Sequence, residues 1–366
     1  MNDKPNNVDE VNSNKHVEPD DDPVKKYLGQ LPSNELAKGI LSPEEEASMR
    51  KLFSKNNIED FIIVGELSRG AYKRTIQLRN PKTTASLALK IVDLNKIIGI
   101  AKEHLRMNGY ATPVDAFKDE SKKMEKLNQL QNPHLSKIQG HGLNDNSSLY
   151  FFLEHYSERT LSDYVTENHP LSRELVEDIA LQIADALAAI HKYYCHGDLK
   201  PDNILFRNCV MCITDFGLAS SMHDTGGKHK DLNIKMEVRA PETYLSQEPD
   251  KIDKKRCDIW AYGVNILYSR NNSFPFPRDY EGSPHEWDGL TTEQRKRYEM
   301  NVLSHIKDEH YYSKVMGDID NKFTPILAKV LKGCLERNPC KRIPNGSILL
   351  SELEKAKRGE SKKKGK

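Results

Sequence analysis

The sequence contains no apolar run that approaches the roughly 18 residues needed to cross a membrane, and no basic segment followed by an apolar one opens it. It also has almost no net charge, at +1 over 366 residues. Bulk electrostatics therefore gives no reason to expect nucleic acid or a membrane surface as the main partner. We expect a soluble protein with no membrane span and no nucleic-acid partner.

Cysteines are few and scattered. Only Cys209 and Cys212 have a C-x-x-C spacing, and no second pair or histidine cluster completes a zinc site. They lie in the short apolar run 209–213, which is typical of a buried strand. We expect no metal or redox role for the cysteines, and reduced thiols are consistent with a cytoplasmic location.

Charge is concentrated at the two ends of the chain. Residues 1–22 carry seven acids and two lysines, and the last twelve residues carry seven bases and one glutamate. These compositions predict a disordered acidic tail at 1–22 and a basic tail at 356–366. Between 23 and 57 we expect an N-terminal extension that is helical after Ser42-Pro43.

The region between the tails changes character near residue 155. Strand-like segments come first, at 61–65, 86–94 and 149–154, with one helix at 120–131. A long helix is predicted after the N-cap residue Ser172, with apolar residues at spacings of three and four. The pattern predicts an α+β fold of two lobes, a small β-rich N-lobe (58–153) and a larger helical C-lobe (157–355).

The densest chemical signal lies between residues 196 and 217. His196-Gly197-Asp198-Leu199-Lys200-Pro201-Asp202-Asn203 is followed by Ile213-Thr214-Asp215-Phe216-Gly217. Phosphoryl transfer needs a carboxylate to accept a hydroxyl proton, a cation beside the transferring group, and oxygen ligands for magnesium. Asp198, Lys200, Asn203 and Asp215 are residues of these types in one short stretch.

The two segments resemble the catalytic and magnesium loops of the protein kinase superfamily, in the serine/threonine form, and the resemblance covers roughly residues 60–355. It implies that Asp198 is the catalytic base, that Lys200 contacts the γ-phosphate, and that Asn203 and Asp215 bind magnesium. It further implies ATP and Mg2+ as cofactors and a protein hydroxyl as the acceptor.

Upstream motifs resemble the ATP site of the same superfamily. Ala88-Leu89-Lys90 resembles the strand whose lysine binds the α- and β-phosphates. By the same resemblance, Leu153 is the residue at the back of the adenine pocket, and backbone groups of Glu154 and Tyr156 bond the adenine edge. The implied ATP-binding residues are Leu67, Ser68, Gly70, Ala88, Lys90, Glu154, Tyr156 and Leu205.

Downstream motifs resemble the structural elements of the C-lobe. Ala240-Pro241-Glu242 resembles the end of the activation segment, and Arg342 is the implied partner of Glu242. The segment that begins at Asp258 resembles the buried helix whose aspartate braces the catalytic loop.

Several positions depart from the family pattern. In the glycine-rich loop only Gly70 remains, and Lys73 stands where a glycine is usual. Gly197 replaces the usual arginine before the catalytic aspartate, and Lys235 replaces the usual threonine of the activation segment. An insertion at 95–114 is expected before the helix that carries the partner of Lys90.

The glutamate that pairs with Lys90 is predicted to be Glu120, because Met124 and Leu127 then share its helix face. Glu125 and Glu103 remain open as alternatives.

The sequence therefore predicts a serine/threonine protein kinase. Two alternatives are a pseudokinase that acts as a binding scaffold and a small-molecule phosphotransferase of the aminoglycoside or choline kinase type, which shares the His-Gly-Asp form. The eroded glycine loop favours the first alternative. The Ala-Pro-Glu segment and the helix at Asp258 argue against the second.

Overall fold

A computed structural model describes residues 40–364, apart from 71, 84, 100–101, 103–104, 107–108, 158, 208, 222–234, 246–250 and 280–290. The predicted acidic tail, the first part of the N-terminal extension, and Glu103 lie outside the described residues.

The N-lobe is built on a five-stranded antiparallel sheet. Its strands are β1 (Ile62–Arg69), β2 (Lys73–Arg79), β3 (Ser86–Asp93), β4 (Ile138–Leu143) and β5 (Leu149–His155). They lie in the order β1-β2-β3-β5-β4. The register places Thr75 opposite Lys90 and Ala88 opposite Glu154. Because directly opposed residues of an antiparallel pair share a face, this register decides which side chains enter the cleft below the sheet.

A helix covers each face of this sheet. Helix α1 (Pro43–Lys55) confirms the helix predicted after Ser42, whose hydroxyl accepts a hydrogen bond from the Glu45 backbone in a capping box. Helix α2 (Pro113–Asn128) lies on the other face and begins seven residues before the predicted start, because Thr112 and Asp115 form a capping box there. A short 3-10 turn, Leu94–Lys96, precedes it in the region expected to hold an insertion.

Helix α1 belongs to the N-lobe rather than to a separate extension. Its apolar residues Met49, Leu52 and Phe53 are buried with Leu89 and Leu153 in one cluster on the outer face of the sheet. Polar contacts add to the packing.

Glu44 accepts hydrogen bonds from Asn144 and Asn146 in the β4–β5 turn, at 2.7 and 2.8 Å. Glu45 forms an ion pair with Arg74 of β2. The folded unit therefore starts before residue 58.

The C-lobe is mainly helical. Its helices are α3 (Leu161–Asn168), α4 (Arg173–Ile190), α5 (Glu242–Leu245), α6 (Lys254–Asn271), α7 (Thr292–Lys307), α8 (Glu309–Lys322), α9 (Pro325–Cys334) and α10 (Gly346–Lys364). Its short strands are β6 (Arg159–Thr160), β7 (Tyr194–Cys195), β8 (Ile204–Arg207), β9 (Val210–Ile213) and β10 (Ser220–Ser221). Ser172 caps α4 as predicted, and β9 confirms the strand expected at the cysteine pair.

The C-terminal end differs from the predicted basic tail, because α10 continues to Lys364. Lysine, which is the commonest residue of this stretch, has good helix propensity. The six cysteines, all of them described, form no disulfide. Among the described residues, no helix has the length and apolar character required to cross a membrane.

Candidate active site

The loop that carries Asp198 is held by a buried carboxylate from α6. Asp258 accepts hydrogen bonds from the backbone N–H groups of His196, at 2.7 Å, and Gly197, at 2.9 Å. His191 Nε2 lies 3.0 Å from the same carboxylate. Although burial opposes its charge, hydrogen bonds and the nearby histidines lower the pKa of Asp258. An ionised side chain in the core of the C-lobe thus fixes the backbone of the catalytic loop.

The two carboxylate oxygens of Asp198 differ in their hydrogen bonding. Its Oδ2 accepts hydrogen bonds from Lys200 Nζ, at 2.7 Å, and from Asn203 Nδ2, at 2.9 Å. Its Oδ1 is buried and has no hydrogen-bond partner among the described residues. Burial raises the pKa of Asp198, while Lys200 opposes that rise. An orphaned carboxylate oxygen of raised basicity is suited to accept a proton from a hydroxyl that enters the cleft.

Asn203 and Asp215 lie on adjoining loops beside Asp198. The Asn203 carbonyl accepts a hydrogen bond from the Thr214 backbone, at 3.0 Å, which ties the two loops together. Asp215 has a φ of +64°, an uncommon conformation for a residue with a side chain. The cation of Lys73 lowers the pKa of Asp215, against the effect of burial, and Lys90 and Lys200 add to it.

These oxygens fit a magnesium ion that is shared with nucleotide phosphates. In the described part of the chain, no three His, Cys, Asp or Glu side chains form a metal site by themselves. Magnesium in phosphoryl-transfer sites is typically held by one or two protein oxygens together with substrate phosphates. One amide oxygen, from Asn203, and one ionised carboxylate, from Asp215, match that requirement.

The ion pair of Lys90 is the main departure from the expected arrangement. Lys90 Nζ lies 2.7 Å from Glu154 Oε2, and the same oxygen is 3.3 Å from the hydroxyl of Thr214. Glu154 is 1% exposed. Lys90 therefore pairs with a residue of β5, and not with Glu120 of α2 as predicted.

The strand register explains why Glu154 takes this place. Ala88 and Lys90 stand opposite Glu154 and Phe152, so these four side chains face the cleft. Leu153 points to the other face and packs in the outer cluster with α1. This corrects the position assigned to Leu153 by one residue.

The backbone contact predicted for Glu154 is corrected as well. Glu154 lies inside the sheet, opposite Ala88 on one side and Ile138 on the other, so its backbone groups face neighbouring strands and not an adenine edge.

Glu120 is buried on the packed face of α2 and approaches Gly217. Its Oε1 has no hydrogen-bond partner among the described residues. Burial raises the pKa of Glu120, and Lys73 opposes this rise more strongly than Lys90 does. A Cβ atom at Gly217 would lie 3.4 Å from Glu120 Oε2 and 3.5 Å from Asp215 Oδ1, so the two carboxylates approach one point.

The remaining predicted ATP contacts surround this cleft. Leu67, Ser68 and Gly70 are exposed at the end of β1. Ala88 is buried on β3, and Tyr156 is buried directly after β5. Leu205 is half-buried on β8. Their ATP contacts remain predictions.

Comparison with known proteins agrees with this geometry. The protein kinase domain family matches residues 61–352, which is most of the chain. The chain belongs to the protein kinase family.

Curated relatives of this kinase are distant. It is 27% identical to an Aurora kinase of Candida glabrata over 71% of this chain and 70% of that protein. It is 26% identical to an Aurora kinase of Saccharomyces cerevisiae over 72% of this chain and 71% of that protein. It is 27% identical to the serine/threonine-protein kinase RAD53 of Saccharomyces cerevisiae over 60% of this chain but only 26% of that protein.

The activation segment of the kinase is anchored by a buried ion pair. Arg342 donates to both carboxylate oxygens of Glu242, at 2.7 and 3.0 Å, and its side chain is fully buried. The guanidinium also donates to the backbone carbonyls of Arg256 and Glu336. The pairing implied by the resemblance is present, and its geometry is the bidentate one that suits arginine.

Lys235 has a contact that sequence reasoning missed. Its Nζ lies 3.2 Å from Asp202 of the catalytic loop and 4.9 Å from the centre of the Phe274 ring. The sequence shows that Lys235 replaces a threonine, but it does not show that Lys235 pairs with Asp202. Lys235 links the activation segment to the catalytic loop of this kinase by an ion pair.

His191 and Asn265 were also missed. His191 was only the residue after a helix in the sequence, and Asn265 lay inside the apolar α6. In the structure His191 contacts Asp258, and Asn265 donates to the Leu199 carbonyl at 3.1 Å. No spacing in the sequence marks either residue, because their partners come from distant elements.

Proposed function

We propose that this chain is an ATP-dependent serine/threonine protein kinase that transfers the γ-phosphoryl group to protein hydroxyls. The observation that carries the proposal is the state of Asp198. One oxygen is held by Lys200 and Asn203, and the other is buried and has no hydrogen-bond partner among the described residues. A carboxylate prepared in this way is expected where a hydroxyl proton must be accepted.

Each residue of the site has a separate role in the reaction. Asp198 orients the acceptor hydroxyl through Oδ1 and accepts its proton as the new O–P bond forms and the bond from the γ-phosphorus to the bridging oxygen of the departing ADP breaks. Lys200, which is 2.7 Å from Oδ2, keeps the carboxylate in this orientation and brings a cation next to the transferring group. Asp258 contributes indirectly, because it prevents the loop from moving away from the acceptor.

Asn203 and Asp215 are proposed to hold magnesium together with the phosphates of ATP. A bound magnesium ion neutralises charge on the phosphate oxygens. The lowered pKa of Asp215 keeps this carboxylate ionised and available as a ligand. The Asn203 amide directs its N–H2 group at Asp198, which leaves its oxygen as the available ligand atom.

The acceptor class and location are also proposals. Lys200 in the Asp-Leu-Lys-Pro form favours serine and threonine over tyrosine. The absence of disulfides among the six cysteines supports a reducing, cytoplasmic environment.

The test is a phosphotransfer assay with labelled ATP, magnesium and a generic basic protein. Label on serine and threonine of the protein, abolished by Asp198→Asn, supports the proposal. Nucleotide binding without transfer indicates the pseudokinase, which is favoured by the engagement of Lys90 with Glu154. Transfer to aminoglycosides or choline, and not to protein, contradicts the proposal.

A further inference from the structure

The cleft contains a second lysine in addition to Lys90. Lys73 is the first residue of β2, and the register places Thr75, two residues later, opposite Lys90. Because side chains alternate along a strand, Lys73 and Lys90 lie on the same, cleft-facing side of the sheet. They form a diagonal pair, and such neighbours typically have Cα atoms about 7–8 Å apart.

The two lysines differ in what holds them. Lys90 is committed to Glu154, at 2.7 Å, in a buried ion pair that Thr214 also contacts. Lys73 is half-buried. The Gly70 N–H donates to the Lys73 carbonyl at 2.7 Å, so the turn between β1 and β2 closes on Lys73. The backbone of Lys73 is therefore fixed at the base of the loop that lies above the phosphate site.

Below Lys73 lie the two carboxylates that meet near Gly217. Glu120 Oε1 is buried and has no hydrogen-bond partner in the described part of the chain, and Asp215 is the proposed magnesium ligand. Asp215, Glu120 and Glu154 raise the pKa of Lys73 although burial opposes its charge. Lys73 also affects the pKa of Glu120 and of Asp215 more strongly than Lys90 does. Lys73 is thus a second cation on the side of the sheet that carries Lys90, and it acts on both carboxylates.

We propose that Lys73 is a phosphate-binding lysine of this kinase, oriented by Glu120, while Lys90 is held at the back of the cleft by Glu154. This inference rests on the proposed function, since it assumes that ATP occupies the cleft. Lys73, which replaces a loop glycine, contacts the nucleotide phosphates. Glu120, whose buried Oε1 has no partner among the described residues, positions the Lys73 side chain.

The test compares ATP with adenosine, which shares the base and sugar but has no phosphates. Affinities are measured by calorimetry in magnesium buffer for the full chain and for Lys73→Met, Lys73→Arg and Lys90→Met. Lys82→Met is the matched control, because Lys82 is an exposed lysine in the β2–β3 turn. Melting temperatures establish that each variant is folded.

Loss of one charge-assisted contact is expected to weaken ATP binding of Lys73→Met roughly ten- to a hundredfold. Adenosine affinity is expected to be unchanged, and Lys73→Arg to retain part of the ATP affinity. If Lys73→Met does not fold, the arginine variant supplies the comparison through its intermediate loss. An unchanged ratio of ATP to adenosine affinity in both variants overturns the inference.

A second variant separates phosphate binding from mere neutralisation of the carboxylates. Lys73→Met/Glu120→Gln removes one cation and one potential anion together. If Lys73 only neutralises Glu120, this double variant regains the ATP affinity of the parent, and the inference fails. If Lys73 contacts phosphate, the double variant stays as weak as Lys73→Met.

The outcome for the parent chain separates this inference from the proposed function. A parent that binds ATP no better than adenosine contradicts the proposed function itself. A parent with a strong preference for ATP that survives Lys73→Met contradicts only the role of Lys73.

Discussion

Lys90 and Glu154 form a buried ion pair between neighbouring strands, 2.7 Å apart and with side chains 13% and 1% exposed. Lys90→Met leaves the Glu154 carboxylate buried and deprived of its cation, which is expected to destabilise the fold by about 3–5 kcal/mol. Lys90→Met/Glu154→Leu removes both charges and is expected to recover most of this loss. Urea unfolding of the parent, both single variants and the double variant measures the coupling. Additive effects of the two substitutions contradict the pairing.

Asp198→Ala is expected to lower the rate of phosphotransfer by about two to four orders of magnitude, the usual contribution of a positioned general base. ATP affinity should be nearly unchanged, because Asp198 faces the acceptor and not the nucleotide. Turnover with labelled ATP and binding by calorimetry are measured on the same preparation. Turnover comparable to that of the parent removes Asp198 from the mechanism.

Asp258→Asn is expected to destabilise the C-lobe. The amide offers a single acceptor oxygen to the two backbone N–H groups and the histidine that Asp258 now contacts, so at least one buried donor loses its partner, at about 1–3 kcal/mol.

The pH dependence of this loss follows from the lowered pKa of Asp258. A carboxyl whose pKa is lower in the folded than in the unfolded state stabilises the fold above its unfolded value of 3.8, and the stabilisation is lost as the pH falls through the folded value. The difference between parent and variant in urea unfolding should therefore shrink as the pH falls below the unfolded value of Asp258. A difference that does not shrink in acid contradicts the assignment.

Activity is expected not to depend on phosphorylation of the activation segment. Gly197 brings no cation that a phosphate could neutralise. Ser220, one of three candidate acceptors with Ser221 and Thr225, is buried in β10 opposite Cys195, which shields it from another enzyme. Thr225 lies outside the described residues.

The triple alanine variant at these three positions, produced together with a phosphatase, should work within a few-fold of the parent rate on an exogenous protein. Near-total loss that acidic substitutions restore would show that the segment does require a phosphate.

Deletion of residues 1–22 is expected to leave the melting temperature and the kinase activity unchanged, because the segment has too few apolar residues to offset the entropy of ordering it. Phe53→Ala is the contrasting variant, since Phe53 is 4% exposed between α1 and the sheet. Its loss should destabilise the fold by about 3–5 kcal/mol. A marked fall in melting temperature on deletion would place the tail against the folded unit.

The parts of the site that could be predicted are those built within one short segment. Asp198, Lys200 and Asn203 contact one another because they share a loop, and their spacing is visible in the sequence. The Glu242–Arg342 pair joins distant segments, yet the resemblance supplied both members.

The parts that could not be predicted depend on strand register and packing. A shift of one residue exchanges the two faces of a strand. An error of one position therefore placed Leu153 in the adenine pocket, although Glu154 is the residue that faces Lys90. Glu120 is buried on the same helix as Met124, in agreement with the predicted shared face. How far Glu120 lies from Lys90 depends on how α2 packs on the sheet. The role of α1 could not be predicted either, because the sequence does not show that α1 packs on the outer face of the N-lobe sheet.

Gly197 has a φ of +79°, and a Cβ atom there would lie 2.9 Å from the carbonyl oxygen of Leu218. Every glycine codon becomes an arginine codon by a single change of its first base, so mutation repeatedly introduces at this position the residue that is usual in the family. The backbone rejects it, because any side chain at 197 meets both the left-handed conformation and the neighbouring carbonyl. A lineage that carries this loop can acquire a phosphate-dependent switch here only if the loop and the turn after Phe216 change together. We therefore expect this loop to lack a phosphate-dependent switch, and any regulation of this kinase to act elsewhere in the molecule.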